Sequence, residues 1–348
     1  MIPRKIGVIF NPRARLAREG KITRQKLEQI MARASHDYSG SSGSFDYIIR
    51  NINFGNADDI YMKLQEFKNK DINIVAIAGG DGTLHRTISQ IISYQEIEDY
   101  PKYISILKSG TQNIIAKAFG FGDAYSTLEA LVKPENELEV IDALTLEIKK
   151  LKEWEEEQEA RAIYGFNLSG LAIANFILKY QDKNVKAFFI KKPSKAKMWA
   201  LILKGIVSGI LNTTLYNEIT KPARCSIILD DKAFIELLYN IFVIGSIPVR
   251  IAGFNIFDEA KIRDENKIAV ICGYGGMKDV FKAWLGNFKF GGLYYKYVKK
   301  VMIEAKEPLY YAIDGEIYHL SNNQKLLAKP GKKIKIIRPK LSKPEQQN

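Results

Sequence analysis

Gly79, Gly80, Asp81, Gly82 and Thr83 follow the apolar run 74–78 and lead into Leu84, Ile88, Ile91 and Ile92 at helical spacing. The pattern predicts a strand, a glycine-rich bend and a helix. Such a bend places N–H groups and the positive end of a helix where an anion would sit, and glycine lets a phosphate come close to the backbone. Asp81 is out of character there, because a carboxylate repels phosphate unless a divalent cation or its water lies between them. The combination points to metal-assisted phosphoryl chemistry. A lone bend of this kind is explained equally well as a tight turn in which Asp81 binds local amides.

Two further polar loops change that balance. Asn11-Pro12-Arg13-Ala14-Arg15 follows the apolar run 6–10, and Lys108-Ser109-Gly110-Thr111-Gln112-Asn113 follows the run 103–107. Arg13, Arg15 and Arg18 could neutralise phosphates. Loops at the carboxyl ends of parallel strands converge on one edge of a sheet, where open α/β sheets bind ligands. Three of them make a nucleotide or phosphate site the preferred reading. Near the other end, Ile313-Asp314-Gly315-Glu316 is first of all a turn signal. Phosphoryl transfer to a hydroxyl also needs a carboxylate that accepts the hydroxyl proton, and Glu316 on a rigid turn could supply it across an interdomain cleft.

The elements that must position these residues fall into two groups. Strands at 6–10, 45–50, 74–78 and 103–107 alternate with helices marked by Leu27, Ile30, Met31 and Ala34, by Ile60 and Leu64, by Leu84 to Ile92 and by the run 114–119. That alternation indicates a doubly wound parallel α/β domain. After a capped helix at 123–132 the pattern becomes extended, with runs at 140–150 and 162–168 around a charged hairpin at 149–161. Further runs lie at 223–229, 234–245, 267–272, 296–305, 309–313 and 334–338, with helices only at 171–180, 196–211 and 277–285. Mostly antiparallel strands are expected there. The domains are therefore placed at 1–137 and 138–340, with a disordered tail over 341–348.

A length of 348 residues suits two domains, and 46% apolar with 26% charged residues is a globular composition. The net charge of +13 favours anionic partners: nucleotide, phospholipid surface or nucleic acid. Nucleic acid is the weakest of these, since the basic residues are dispersed and no recognition motif accompanies them. Cys225 and Cys272 lie far apart, so no disulfide framework is indicated and a reducing compartment is expected. No signal peptide is expected ahead of the first strand. The most apolar stretch, 198–211, carries Lys204 and is shorter than the roughly 20 residues a spanning helix takes. With Lys191, Lys192, Lys195 and Lys197 before it, it could lie on a membrane surface, although an interior helix with a basic rim is the commoner arrangement. His36, His85 and His319 are too scattered to suggest a metal cluster.

Taken together, Asn11-Pro12, Gly79-Gly80-Asp81-Gly82-Thr83, Gly110-Thr111 with Asn113, Asp142 and Asp314-Gly315-Glu316 resemble the motif series of the diacylglycerol kinase catalytic-domain family, which includes bacterial lipid kinases, sphingosine kinases and ceramide kinases. Gly170 after Asn167-Leu168-Ser169 adds to the likeness. The resemblance implies an α/β nucleotide-binding half of the NAD kinase and phosphofructokinase type, a β-sandwich half, and transfer of the γ-phosphate of ATP to a lipid hydroxyl. It also implies roles. The backbone of Gly79, Gly80, Gly82, Thr83, Gly110 and Thr111 would cradle ATP phosphates, with Asn11, Pro12 and Asn113 positioning loops and nucleotide. Asp81 and Asp142 would hold Mg2+ through water, Glu316 would be the general base and Asp314 would support it. The implied partner is a lipid substrate at a membrane surface, reached by a cytoplasmic protein that associates with it peripherally; a homodimer is compatible with this. Departures are Arg86 and Ile114 where relatives often carry acids, Arg13-Ala14-Arg15 in place of Ser-Gly, and Asp264-Glu265-Asn266 in a later series. The alternatives are a soluble-substrate kinase of the NAD kinase type and a non-catalytic nucleotide or lipid binder.

Overall fold

A computed structural model describes residues 4–38, 47–53, 58–93, 100–110, 113–152, 155–181, 218–233, 237–248, 250–251, 254–255, 257, 266–273 and 293–340. The chain forms two compact units, one of residues 1–143 with 333–348 and one of residues 144–332. An N-terminal α/β domain is followed by a β-rich domain, as the residue patterns predict.

The first unit runs β1 (Ile6–Phe10), α1 (Arg15–Arg18), α2 (Arg24–Tyr38), β2 (Tyr47–Asn51), α3 (Asp59–Asn69), β3 (Ile74–Gly79), α4 (Asp81–Ser93), β4 (Tyr103–Lys108), α5 (Ile114–Ala118), α6 (Ala124–Val132) and the start of β5 (Leu138–Leu151). Its sheet has the order β4-β3-β1-β2, and each neighbouring pair is parallel. β1 and β3 are buried along their whole lengths, which is why they read as unbroken apolar runs. Sequence order reverses between β3 and β1. That reversal is the topological switch point where such sheets bind ligands, and the loops after β1 and β3 leave from it. Helix α4 buries Leu84, Ile88, Ile91 and Ile92 on one face, and His85 is buried with them.

The second unit contains the rest of β5, then β6 (Ala162–Gly165), β7 (Asn167–Leu171), α7 (Ala172–Gln181), β8 (Ala223–Leu229), β9 (Lys232–Ala233), β10 (Leu237–Tyr239), β11 (Ile241–Gly245), β12 (Arg250–Ile251), β13 (Phe254–Asn255) and β14 (Ile268–Gly273). It ends with β15 (Leu293–Val298), β16 (Val301–Ala305), β17 (Leu309–Ile313), β18 (Glu316–Leu320) and most of β19 (Lys325–Pro339). One antiparallel sheet has the order β15-β14-β11-β7-β17-β18, and a second carries β10-β8-β16-β19. A single core takes Phe242, Ile244 and Val270 from the first and Ile227, Ile303 and Leu326 from the second. Two packed sheets around one apolar layer are a sandwich. The charged stretch at 149–161 does connect a hairpin, with Lys149 opposite Ala162, but Leu151 and Ala160 in it are buried against Leu327.

Three expectations are corrected. The runs 234–245 and 296–305 each contain two strands: β10 and β11 part at Asn240 and enter different sheets, and β15 and β16 part at Lys299-Lys300. The domain boundary falls at 143/144 instead of 137/138, and residues 333–340 belong with the first unit, where Ile336 pairs in parallel with Ile104 of β4. Both crossings lie inside strands, β5 and β19, which run on through them; Pro330-Gly331, a turn signal by residue type, stands within β19 just before the second. The helices expected at 196–211 and 277–285, the acidic residues Asp264 and Glu265, and the tail 341–348 lie outside the described residues.

Candidate functional site

The three polar loops of the first unit are laced together by their own backbone. Asn11 N–H donates to the Ala78 carbonyl at 2.9 Å, Ser109 N–H to the Gly79 carbonyl at 3.1 Å and Leu16 N–H to the Ser109 carbonyl at 3.0 Å. The Asn11 side chain donates through Nδ2 to Thr83 Oγ1 at 2.9 Å, while its Oδ1 accepts from Arg13 N–H at 2.9 Å. Asn11 and Thr83 are 7% and 4% exposed. These side chains fix the first loop to α4. A Cβ on Gly79 would lie 2.3 Å from Thr83 Cβ, so the glycine is what admits the threonine. A Cβ on Gly110 would lie 2.5 Å from Gly80 Cα, so the two glycine loops touch backbone to backbone.

Asp81 opens α4 and does its visible work elsewhere. Its Oδ2 accepts from Ile114 N–H at 3.0 Å and its Oδ1 from Ile115 N–H at 3.1 Å. Those are the first amides of α5, whose own preceding residue Asn113 makes no capping bond and sits at φ 50°. Asn113 instead ties the loop, its Oδ1 accepting from Gly110 N–H at 2.9 Å. Asp81 therefore caps a helix 33 residues away, and the substitution of an apolar Ile114 leaves that bond intact because it uses the backbone. Gly80, Asp81 and Gly82 are half-buried, while Pro12, Arg13 and Arg86 are exposed. The result is an accessible helix N-terminus with a guanidinium in the adjoining loop, a donor set that suits a phosphate.

In the second unit Asp314 and Gly315 form the two-residue turn of the β17–β18 hairpin, with φ of 49° and 87°, the left-handed pattern of a type I′ turn. Glu316 follows, paired across the hairpin with Ile313 and half-buried. The Asp314 side chain turns inward and is 6% exposed. Both its oxygens accept from Phe166 N–H at 3.1 Å, and Oδ1 also accepts from Asn167 N–H at 2.9 Å. Asp314 N–H returns a bond to the Asn167 carbonyl at 2.9 Å. Asn167 Oδ1 is buried with no hydrogen-bond partner among the described residues.

Residues 5–144 match the diacylglycerol kinase catalytic domain. This catalytic-domain match covers all three loops of the first unit and implies a kinase. No curated protein matches the chain. A solved diacylglycerol kinase structure from Bacillus anthracis strain Sterne is 15% identical, with a TM-score of 0.59, covering 96% of this chain and 97% of that one. A second structure from the same organism has the same identity and coverage with a TM-score of 0.63. At this identity the likeness speaks for the fold.

The expected site residues thus form two sets. Asn11, Gly79, Gly80, Asp81, Gly82, Thr83, Gly110 and Asn113 come together in the first unit, and Asp314 and Glu316 in the second. Asp142 is exposed on β5, and Thr111 lies outside the described residues. Among the described residues no three His, Cys, Asp or Glu side chains form a metal cluster. Sequence reading passed over Gly165, Phe166 and Asn167 as seats for Asp314. A glycine inside a strand was the available signal, since it marks close approach of another group. Cys225 and Cys272 are buried free thiols, and burial pushes the Cys272 thiol up to about 12. No helix among the described residues is long and apolar enough to cross a membrane.

Proposed function

We propose that this chain is an ATP-dependent lipid kinase that moves the γ-phosphoryl group of ATP to the hydroxyl of a diacylglycerol- or sphingoid-type lipid. The carrying observation is the lacing of three strand-end loops around the N-terminus of α4, at the switch point of the segment that matches the catalytic domain. In this reading the amides at Gly80 to Thr83 receive the phosphates and Arg13 adds positive charge beside them. Glu316 takes the proton of the lipid hydroxyl, whose oxygen bonds to the γ-phosphorus as the bond to the ADP oxygen breaks. Asp314 keeps the turn that carries Glu316 in one conformation.

In this reading Asp81 and Asp142 would hold magnesium through water; Asp142 is exposed, and Mg2+ usually keeps several waters. Bound there, the ion would neutralise charge on the phosphates. The reading puts the protein on the cytoplasmic surface of a membrane, where ATP and lipid are both available; sedimentation with anionic vesicles tests that placement.

The decisive experiment incubates purified protein with labelled ATP and diacylglycerol, phosphatidylglycerol, sphingosine and ceramide in turn, with mass-spectrometric identification of the product. Labelling of one lipid class is expected, and Glu316→Gln should lower turnover about 100-fold or more with little change in ATP affinity. Lipid labelling no higher than that of the variant, or NADP formed from NAD, would replace the proposal. A binding-only member of the family is the second reading, favoured by the engagement of both Asp81 and Asp314 with backbone amides. It requires ATP binding without turnover on every acceptor.

A further inference from the structure

The turn that carries Glu316 is seated on β6 and β7, and the seat includes a space where no side chain stands. Gly165 is the last residue of β6, paired with Leu146 of β5. Its φ lies outside the left-handed region, so the backbone there accepts any L residue and does not itself call for glycine. The surroundings do. A Cβ on Gly165 would come within 2.6 Å of Asp314 Oδ2 and 2.6 Å of Ile313 Cγ2. The space is filled by the carboxylate that the next two amides, of Phe166 and Asn167, hold by hydrogen bonds. Ile313 is fully buried and closes the hairpin opposite Glu316, so it has little room to retreat.

We propose that Gly165 is a positioning residue for phosphoryl transfer: the volume left by its missing side chain is the seat of the Asp314 carboxylate, and that seat sets where the hairpin turn presents Glu316. A methyl group at 165 would turn Asp314 away from the Phe166 and Asn167 amides and shift the turn, while the loops of the first unit keep their own bonds. This inference rests on the reading of Glu316 as the proton acceptor. It predicts a specific kinetic signature, a fall in kcat per ATP-binding molecule with ATP affinity preserved; a general loss of folded protein would instead lower the number of ATP sites found by titration.

The test is a double-mutant cycle between Gly165→Ala and Asp314→Ser, since serine is shorter and vacates the space. Gly165→Ala in the natural chain should lower kcat at least tenfold and change the KM for ATP less than twofold. In the Asp314→Ser background the same substitution should cost less than threefold. Equal losses in the two backgrounds, or a rise in KM with kcat unchanged, would overturn the proposal. The same four proteins are compared by thermal unfolding: alanine at 165 should lower the midpoint more with Asp314 present than with serine there, and equal shifts would remove the seat. If the natural chain phosphorylates no lipid, the kinase reading fails, and the unfolding cycle still decides whether Gly165 seats Asp314. If Gly165→Ala alone does not fold, recovery of folding in the double variant supports the seat and failure to recover refutes it.

Discussion

Asp81 in the first unit and Asp314 in the second bind in the same way and differ in what surrounds them. Each carboxylate accepts from two consecutive backbone amides far along the chain, Ile114 and Ile115 in one case and Phe166 and Asn167 in the other. Asp81 is half-buried, within a helix, and its donors are the amides that any helix start leaves unpaired. Asp314 is nearly sealed from water, at a left-handed φ, beside a glycine that makes room for it. Water can replace a carboxylate at an open helix end. In a closed strand corner it has no access, so an equal number of hydrogen bonds should weigh more at Asp314.

The sharpest break in this comparison is alanine at each position. Asp314→Ala leaves the buried Phe166 N–H and the part-buried Asn167 N–H without their acceptor and places a Cβ residue without local hydrogen bonding at positive φ, for an expected loss of about 3–4 kcal/mol in urea unfolding. Asp81→Ala should cost about 1–2 kcal/mol, the range of a lost helix cap, because α4 itself tolerates alanine well. Equal losses would mean that burial does not separate the two sites. Activity should fall in both, and in Asp81→Ala the KM for ATP should rise as the β4–α5 loop loosens.

Asp123 supplies a local version of the same bond. It caps α6 by accepting from Tyr125 N–H at 3.0 Å and Ser126 N–H at 3.1 Å. Partial burial works to raise its pKa, yet the Ser126 hydroxyl and these amides outweigh it and hold the carboxyl below its ordinary value. A carboxyl depressed in the folded state stabilises above its unfolded pKa, about 4, and loses that contribution as the pH falls through the lower folded value. Unfolding followed from pH 6 down to pH 3 should therefore show a decline below about pH 4 that Asp123→Ala diminishes. A decline of the same size in the variant would remove Asp123 as a source.

How much of this was legible in the residues depends on whether the partner is near in sequence. The strand, bend and helix around Gly79 to Thr83 and the cap at Asp123 follow from local rules, because apolar spacing and capping act within a few residues. The Asp-Gly turn was equally visible. What Asp81 and Asp314 bind was not, since their donors lie 33 and more than 140 residues away and are backbone amides, which every residue type carries. Asn11 and Thr83 read as candidates for ligand contact, yet they bond to each other across 72 residues. The boundary inside β5 and β19 was hard to see for a related reason: each strand runs on from one unit into the next, and the Pro330-Gly331 pair that reads as a turn lies within β19.

The β8–β9 hairpin provides an exposed counterpart of the Asp314 corner. Asp230 and Asp231 form its two-residue turn at φ 49° and 60°, and Asp230 Oδ1 accepts from Lys299 N–H at 2.8 Å and Lys300 N–H at 3.0 Å. Two consecutive amides again meet the first aspartate of a left-handed turn, but here the carboxylate lies in water. Asp230→Asn keeps an acceptor oxygen and a side chain that tolerates the left-handed region, so it removes only charge. Solvent screening makes that charge worth little, and the expected loss is below about 0.5 kcal/mol with lipid phosphorylation unchanged. A cost approaching that of Asp314→Ala would show that the carboxylate–amide bond itself carries the stability, and that the burial and glycine seat of Asp314 add nothing to it.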